Sequence, residues 1–229
     1  MNQLLVTRSE LKYLISNQEY VYLSMLLKSV MDPDIHTRDD GTYYIRSLYF
    51  DSYDNKDYYT KDAGLEKRLK IRLRLYDLGS DQIKLEIKNK HDVYLIKETA
   101  IITREDAKKL SKGDIDCLLN YEHAVIGNLY HILKTNFYQP IILIDYEREA
   151  YVCDALGIRI NFDKGIRASG STLDLFDEAA SLAPILEENM MVLEVKFNDI
   201  LPDFYRDMLS SAKLVKTHYS KYCFARELI

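Results

Sequence analysis

Residues 66 to 76 read EKRLKIRLRLY, with Arg68, Lys70, Arg72 and Arg74 at every second position and Leu69, Ile71, Leu73 and Leu75 between them. Successive side chains of a β-strand point to opposite faces, so this stretch predicts a strand with one apolar face and one densely cationic face. The whole chain has a net charge of -5, so any cationic surface must be local and surrounded by acid. A generic nucleic-acid binder carries a broad basic face on a basic domain, and the acidic balance argues against that class.

The two-residue period recurs. YYIRSLYFD at 43 to 51, DQIKLEIKN at 81 to 89, VYLIKETAIIT at 93 to 103, IILIDYEREAY at 141 to 151, GIRINFD at 157 to 163 and MVLEVKF at 191 to 197 all predict strands, being rich in β-branched or aromatic residues. Helices punctuate them. Ser16 with Glu19 forms a capping-box signature ahead of Val21, Leu23, Leu26, Leu27 and Val30, and Pro33 is a stop, which predicts a helix over 17 to 31. Thr103 and Asp106 cap a second helix that Gly113 ends, DIDCLLNYEHAVIGNLYHIL continues as one or two more, and Pro202 in a first turn starts a last helix through about Leu214. The expected class is α+β, dominated by antiparallel strands with helices in a few insertions.

Several strands pair an apolar face with a charged one. Lys84, Glu86, Lys88 and Lys90 lie opposite Ile83, Leu85 and Ile87; Arg159, Asn161 and Asp163 lie opposite Ile158, Ile160 and Phe162; Glu194 and Lys196 lie between Leu193, Val195 and Phe197. One explanation is a half-exposed sheet with its charges in water. The other is a barrel whose apolar faces turn outward into covering helices and whose charged faces line the interior. Such an interior needs a polyanion, and its few carboxylates could hold a divalent metal on the anion's oxygens. Phosphate chains satisfy both demands, since arginine forks match phosphate oxygens and lysine offers a compact charge.

At 229 residues, with only four prolines and eight glycines, one domain over 1–229 is expected. Cys117, Cys153 and Cys223 are far apart and lack metal-ligand spacing, which predicts unpaired thiols and no zinc. No apolar run is long enough to span a bilayer and no basic-then-apolar leader opens the chain, so the expectation is a soluble, cytoplasmic protein without a membrane segment. The five histidines, His36, His91, His123, His131 and His218, are unclustered and read as surface or capping residues, His218 near Ser220 being the one worth testing. The aromatic run YYIRSLYF reads as sheet packing rather than as a base-stacking surface.

The ordered succession RSELKY (8 to 13), YFD (49 to 51), the basic strand, LEIK (85 to 88), YERE (146 to 149), IRINFD (158 to 163), LEVKF (193 to 197) and HYSKY (218 to 222) resembles the VTC domain, the polyphosphate-polymerase branch of the triphosphate tunnel metalloenzymes. The likeness covers nearly the whole chain. It implies an eight-stranded antiparallel β-barrel tunnel with covering helices, which binds ATP or another triphosphate with Mn²⁺ or Mg²⁺ and transfers the γ-phosphoryl group onto a growing polyphosphate.

By the same resemblance, Lys12, Lys61, Arg72, Arg74, Lys88, Lys97, Arg148, Arg159, Lys196, Ser220 and Lys221 are phosphate ligands, Glu194 binds the metal, and Lys221, Arg72, Arg74 and Glu194 carry the chemistry. Glu10 and Glu86 are left out of the metal set as ion-pair partners. Where the related CYTH phosphohydrolases have ExExK, this chain has Arg8, Glu10 and Lys12, a departure that favours the VTC branch. The phosphate-sensing domain and membrane helices of larger family members have no counterpart in this sequence, so a membrane or regulatory partner is left unidentified. Two other functions stay open: an inorganic triphosphatase or nucleoside-triphosphate hydrolase, and a polyphosphate-binding module without turnover.

Overall fold

The computed structural model describes residues 8–91, 94–212 and 214–229. In chain order they form β1 (Arg8–Ser16), α1 (Asn17–Lys28), β2 (Asp32–Pro33), β3 (Tyr43–Asp51), α2 (Lys56–Asp62), β4 (Arg68–Leu75), β5 (Gln82–His91), β6 (Tyr94–Thr103), α3 (Arg104–Ser111), α4 (Ala124–Thr135), β7 (Gln139–Cys153), β8 (Ile158–Ser169), β9 (Ala183–Pro184), β10 (Met190–Asn198), α5 (Asp203–Ser211) and α6 (Lys221–Leu228). The class is α+β. Eight strands follow one path, β1-β10-β8-β7-β3-β4-β5-β6, while the two-residue β2 and β9 attach to β7 and β8. The eight-stranded antiparallel order is therefore present, and β1 and β6 are the ends of a path that is not strictly closed.

The chain divides into two compact units. The first comprises residues 1–44, 146–166 and 186–220, the second residues 45–145, 167–185 and 221–229. In the first, Ile15, Ile158, Ile160, Phe162, Met191, Leu193, Val195 and Phe197 form one apolar sheet face, packed with Leu23 and Leu27 of α1 and with Tyr205 and Leu209 of α5. In the second, Leu48, Leu73, Leu85 and Ala100 stand in register across four strands, with Ile71 beside Ile87 and Ile83 beside Ile102. All are buried, as are Ala107 and Leu110 of α3 and Ile126, Leu129 and Leu133 of α4, the helices that lie along β5 and β6. In each unit, then, the apolar strand faces are covered by helices, as burial of roughly 1.5–3 kcal/mol per large aliphatic side chain demands.

Local signals explain most boundaries. Ser16 and Glu19 close the expected capping box, Thr103 accepts from the Asp106 amide, and the His123 ring caps α4 by accepting from the Val125 amide. The first helix stops at Lys28 rather than 31, because Asp32 and Pro33 pair with Val152 and Tyr151 of β7. Pro202 is the N-cap rather than a first-turn residue, and α5 ends at Ser211, short of Leu214. β8 continues past Asp163 to Ser169 because Gly165, at φ +57, lets the strand bend without stopping. β1, α2 and α6 are additions to the sequence-based elements. Cys117, Cys153 and Cys223 are free thiols. Among the described residues no helix is long and apolar enough to cross a membrane.

Candidate functional site

The opposite, charged face of β4, β5 and β6 in the second unit is built in three registered rows. Lys70, Lys88 and Lys97 form the first; Tyr49, Arg72, Glu86 and Thr99 the second; Ser47, Arg74, Lys84 and Ile101 the third. Those rows hold six cations and one carboxylate. Neither water nor the exterior receives the arginines: Arg72 is 9% exposed and Arg74 6%. Arg72 donates from Nε and Nη2 to Glu86 Oε2, at 2.7 and 2.6 Å, and from Nη1 to the Tyr49 hydroxyl at 3.2 Å. Lys97 pairs with the other Glu86 oxygen. Arg74 donates to the Ser47 hydroxyl at 3.0 Å.

This charge excess sets the protonation of its neighbours. Burial by itself would raise the Glu86 carboxyl, but Arg72, Arg74 and Lys97 outweigh it and hold the group well below the usual carboxylate range. Burial likewise opposes ionisation of the Tyr49 phenol, and Arg72, Arg74 and Lys70 overcome it, lowering the phenol from its ordinary value. The Lys70 ammonium lies over the Tyr49 and Tyr222 rings, 5.7 and 5.9 Å from their centroids.

Asp51, at the end of β3 and fully buried, ties two further elements to this unit. Its carboxylate accepts from the amides of Asp57 and Tyr58, which start α2, and from the hydroxyl of Tyr222 in α6. Lys61, half-buried in the last turn of α2, and Lys221, buried at the start of α6, are thereby carried on helices anchored to one carboxylate.

In the first unit, the charged face of β1, β10 and β8 sets Lys12, Glu194 and Asn161 in one row and Glu10, Lys196 and Arg159 in the next. Glu194 receives Lys196 at 3.0 Å, Arg148 at 3.4 Å and Lys12 at 3.5 Å. Arg148, 7% exposed, also grips Asp163 with two bonds of 2.6 and 2.8 Å. Burial and the nearby Arg148 lower the Lys196 ammonium despite its Glu194 partner. Arg159 spends its nitrogens on Asp34, the Tyr43 hydroxyl at 2.7 Å and Asn161 Oδ1 at 3.0 Å. Lys12 pairs with Glu10 at 3.0 Å. Ser220 is buried, and His218 is exposed two residues before it.

The expected cations thus sit on strands of the two charged faces, apart from Lys61 in the last turn of α2 and Lys221 at the start of α6; the side chain of Arg8 lies outside the described residues. Alternating cations and the family resemblance marked these positions, whereas the acceptors Asp34, Asp163 and Tyr49, and the helix-anchoring Asp51, went unassigned. They lie inside the IRINFD and YFD motifs or in plain loop sequence, and no local pattern marks them as partners. Glu86 and Glu10 are ion-pair partners, as expected of them.

Glu194 suits one kind of metal site. Among the described residues no group of three or more His, Cys, Asp or Glu side chains could form a protein cage for an ion. A magnesium-like ion usually takes one or two carboxylates and completes its shell with substrate phosphates and water, and Glu194, held by Lys12, Arg148 and Lys196, fits that mode.

The model of the VTC domain family matches residues 7–229. The chain belongs to the VTC domain family. Among solved structures, this VTC-domain protein is similar to a candidate adenylate cyclase from Bacillus halodurans, with TM-score 0.55, 11% identity, and coverage of 93% of this chain and 92% of the other. It is also similar to a candidate adenylyl cyclase from Hippeastrum described as having a dominant triphosphatase activity, with TM-score 0.54, 12% identity, and coverage of 96% and 94%. A Pyrococcus horikoshii protein matches with TM-score 0.50, 12% identity, and coverage of 96% and 98%. At such identities the likeness shows a shared fold. No curated protein sequence matches this chain.

Proposed function

We propose that this VTC domain, acting as a single domain over 1–229, is a polyphosphate polymerase using ATP and Mn²⁺ or Mg²⁺. One observation carries the reading most: three registered rows place six cations against the single carboxylate of Glu86, and two of those cations are buried. Buried like charges repel, and an oxygen-rich polyanion relieves the repulsion. Arg72, Arg74, Lys88, Lys97 and Lys61 hold phosphoryl oxygens in the second unit; Lys12, Arg148, Arg159, Lys196 and Ser220 do so in the first.

The transfer breaks the bond between the γ-phosphorus of ATP and its bridging oxygen, releasing ADP, and forms a bond from that phosphorus to a terminal oxygen of the polyphosphate. Positioning and charge neutralisation supply most of the acceleration in such a step. Arg72 and Arg74 neutralise the transferring group, and Lys221 orients the acceptor oxygen. Glu194 would hold the divalent ion, which supplies further neutralisation of the phosphate oxygens when bound.

Incubation with ATP and Mn²⁺, resolved by gel for chain length, tests the reading: long polyphosphate and ADP are expected. Orthophosphate without polymer would instead assign hydrolysis, the reading favoured by the triphosphatase activity of the similar Hippeastrum protein. Unchanged ATP with retained polyphosphate would assign a binding module.

A further inference from the structure

Asn161 sits on β8 between Arg159 and Asp163 and opposite Glu194 of β10, and it is 0% exposed. Its Oδ1 accepts from Arg159 Nε at 3.0 Å, which fixes which end of the amide is oxygen. The NH₂ group finds no acceptor among the described residues. A buried donor in this condition is costly and calls for an explanation. Glu194, opposite it on the ladder, already receives Lys12, Arg148 and Lys196, while Asp163 is held by Arg148 and Asp34 by Arg159.

We infer that the Asn161 NH₂ group is a substrate contact that donates to a phosphoryl oxygen of the bound phosphate chain. This rests on the phosphate-binding reading above and adds a neutral donor to a set otherwise made of cations and a serine. The chemistry discriminates among ligands. The amide oxygen is turned toward Arg159, so the end of Asn161 that lacks a partner is its NH₂ group, which donates hydrogen bonds and does not ligate metal ions. What the NH₂ group requires is an acceptor, and the surrounding ammonium and guanidinium groups require an anion. A phosphate oxygen meets both needs. An aspartate at this position would keep the bond from Arg159 but turn an anion toward that oxygen.

The test is calorimetric titration of inorganic tripolyphosphate into the full chain, in EDTA and again with Mn²⁺, paired with thermal melting of the ligand-free protein. Asn161→Asp retains the acceptor for Arg159 and replaces the donor; Asn161→Ala removes both without adding charge. Binding is expected to weaken about tenfold to a hundredfold in Asn161→Ala, the range for a hydrogen bond to a charged group, and further in Asn161→Asp. The ligand-free Asn161→Asp protein is expected to melt no lower than the wild type, since the donor it loses had no partner. Wild-type affinity in both variants, or loss of binding matched by a fall in melting temperature of both, would overturn the inference and leave Asn161 a structural residue. No binding by the wild-type chain would overturn the phosphate-binding reading itself, a different outcome in the same titration.

Discussion

On the β1–β10–β8 face, Lys12, Arg148, Arg159 and Lys196 meet Glu10, Asp34, Asp163 and Glu194, cation for carboxylate; on the β4–β5–β6 face the three registered rows hold six cations and one carboxylate, Glu86. The sequence presents both faces as alternating basic strands, yet their electrostatics differ. A paired guanidinium is held in a fixed direction by its carboxylate, and a ligand must compete for it or bind on its remaining edge. A row such as Lys70, Lys88 and Lys97 has no carboxylate within it, and like charges opposite one another on a ladder destabilise the pairing. The rows of the second face thus carry more cations than carboxylates, while the first holds its charges in preset positions around Glu194.

That division can be broken most easily at Arg72. Arg72→Ala strips Glu86 of its two-bond partner, so the variant is expected to lose about 3–5 kcal/mol of stability by denaturant titration, the cost of breaking a buried pair. Polymer formation at temperatures where it stays folded is expected to fall at least about a hundredfold, since one electrostatic donor to a transition state is commonly worth that much. Near-normal product would remove Arg72 from the site. Glu194→Gln on the other face is expected to act differently: the Mn²⁺ concentration for half-maximal turnover should rise about tenfold, with tripolyphosphate binding in EDTA no weaker. If metal dependence stays put, Glu194 serves only its three cations.

A smaller effect contrasts the units through pH. In the first, burial raises the Glu149 carboxyl, but bonds from Lys164, Tyr151 and Tyr20 prevail and bring it down to about 2 from 4.5. Its folded value lies below its unfolded one, so its contribution is complete above about pH 5 and is lost as pH falls through 4.5 toward 2. In the second unit, burial pushes Asp57 up to about 7 from 3.8, against the hydrogen bond from Tyr138. There the sign reverses, and stability declines as pH rises from 3.8 to 7. Glu149→Gln is expected to destabilise by about 1–3 kcal/mol at pH 7 and flatten the acid limb of the stability curve. Asp57→Asn, which keeps an acceptor for Tyr138, is expected to exceed wild-type stability at pH 8. Melting curves across pH check both, and parallel curves for all three proteins would contradict these assignments.

Much of this was legible residue by residue. The strand at 43 to 51 is found at those bounds and the basic strand within two residues of its expected ends, because period two is a local property of the chain. The caps at Ser16 and Thr103 were equally local. α2 was not legible, since its amides are capped by Asp51, six and seven residues earlier in the chain, rather than by its own N-cap residue Asn55. Nor was α6, whose Tyr222 bonds to that same carboxylate from 171 residues away.

The alternation of cations and aliphatics was enough by itself to determine that this protein builds sheets with one oily and one basic face, because a strand's side chains must point to alternate sides. Which cation meets which carboxylate was decided only by the tertiary structure. Arg148 finds Asp163 and Glu194, and Arg72 finds Glu86, because strand register brings together side chains far apart in the chain, and Coulomb forces depend on that distance in space.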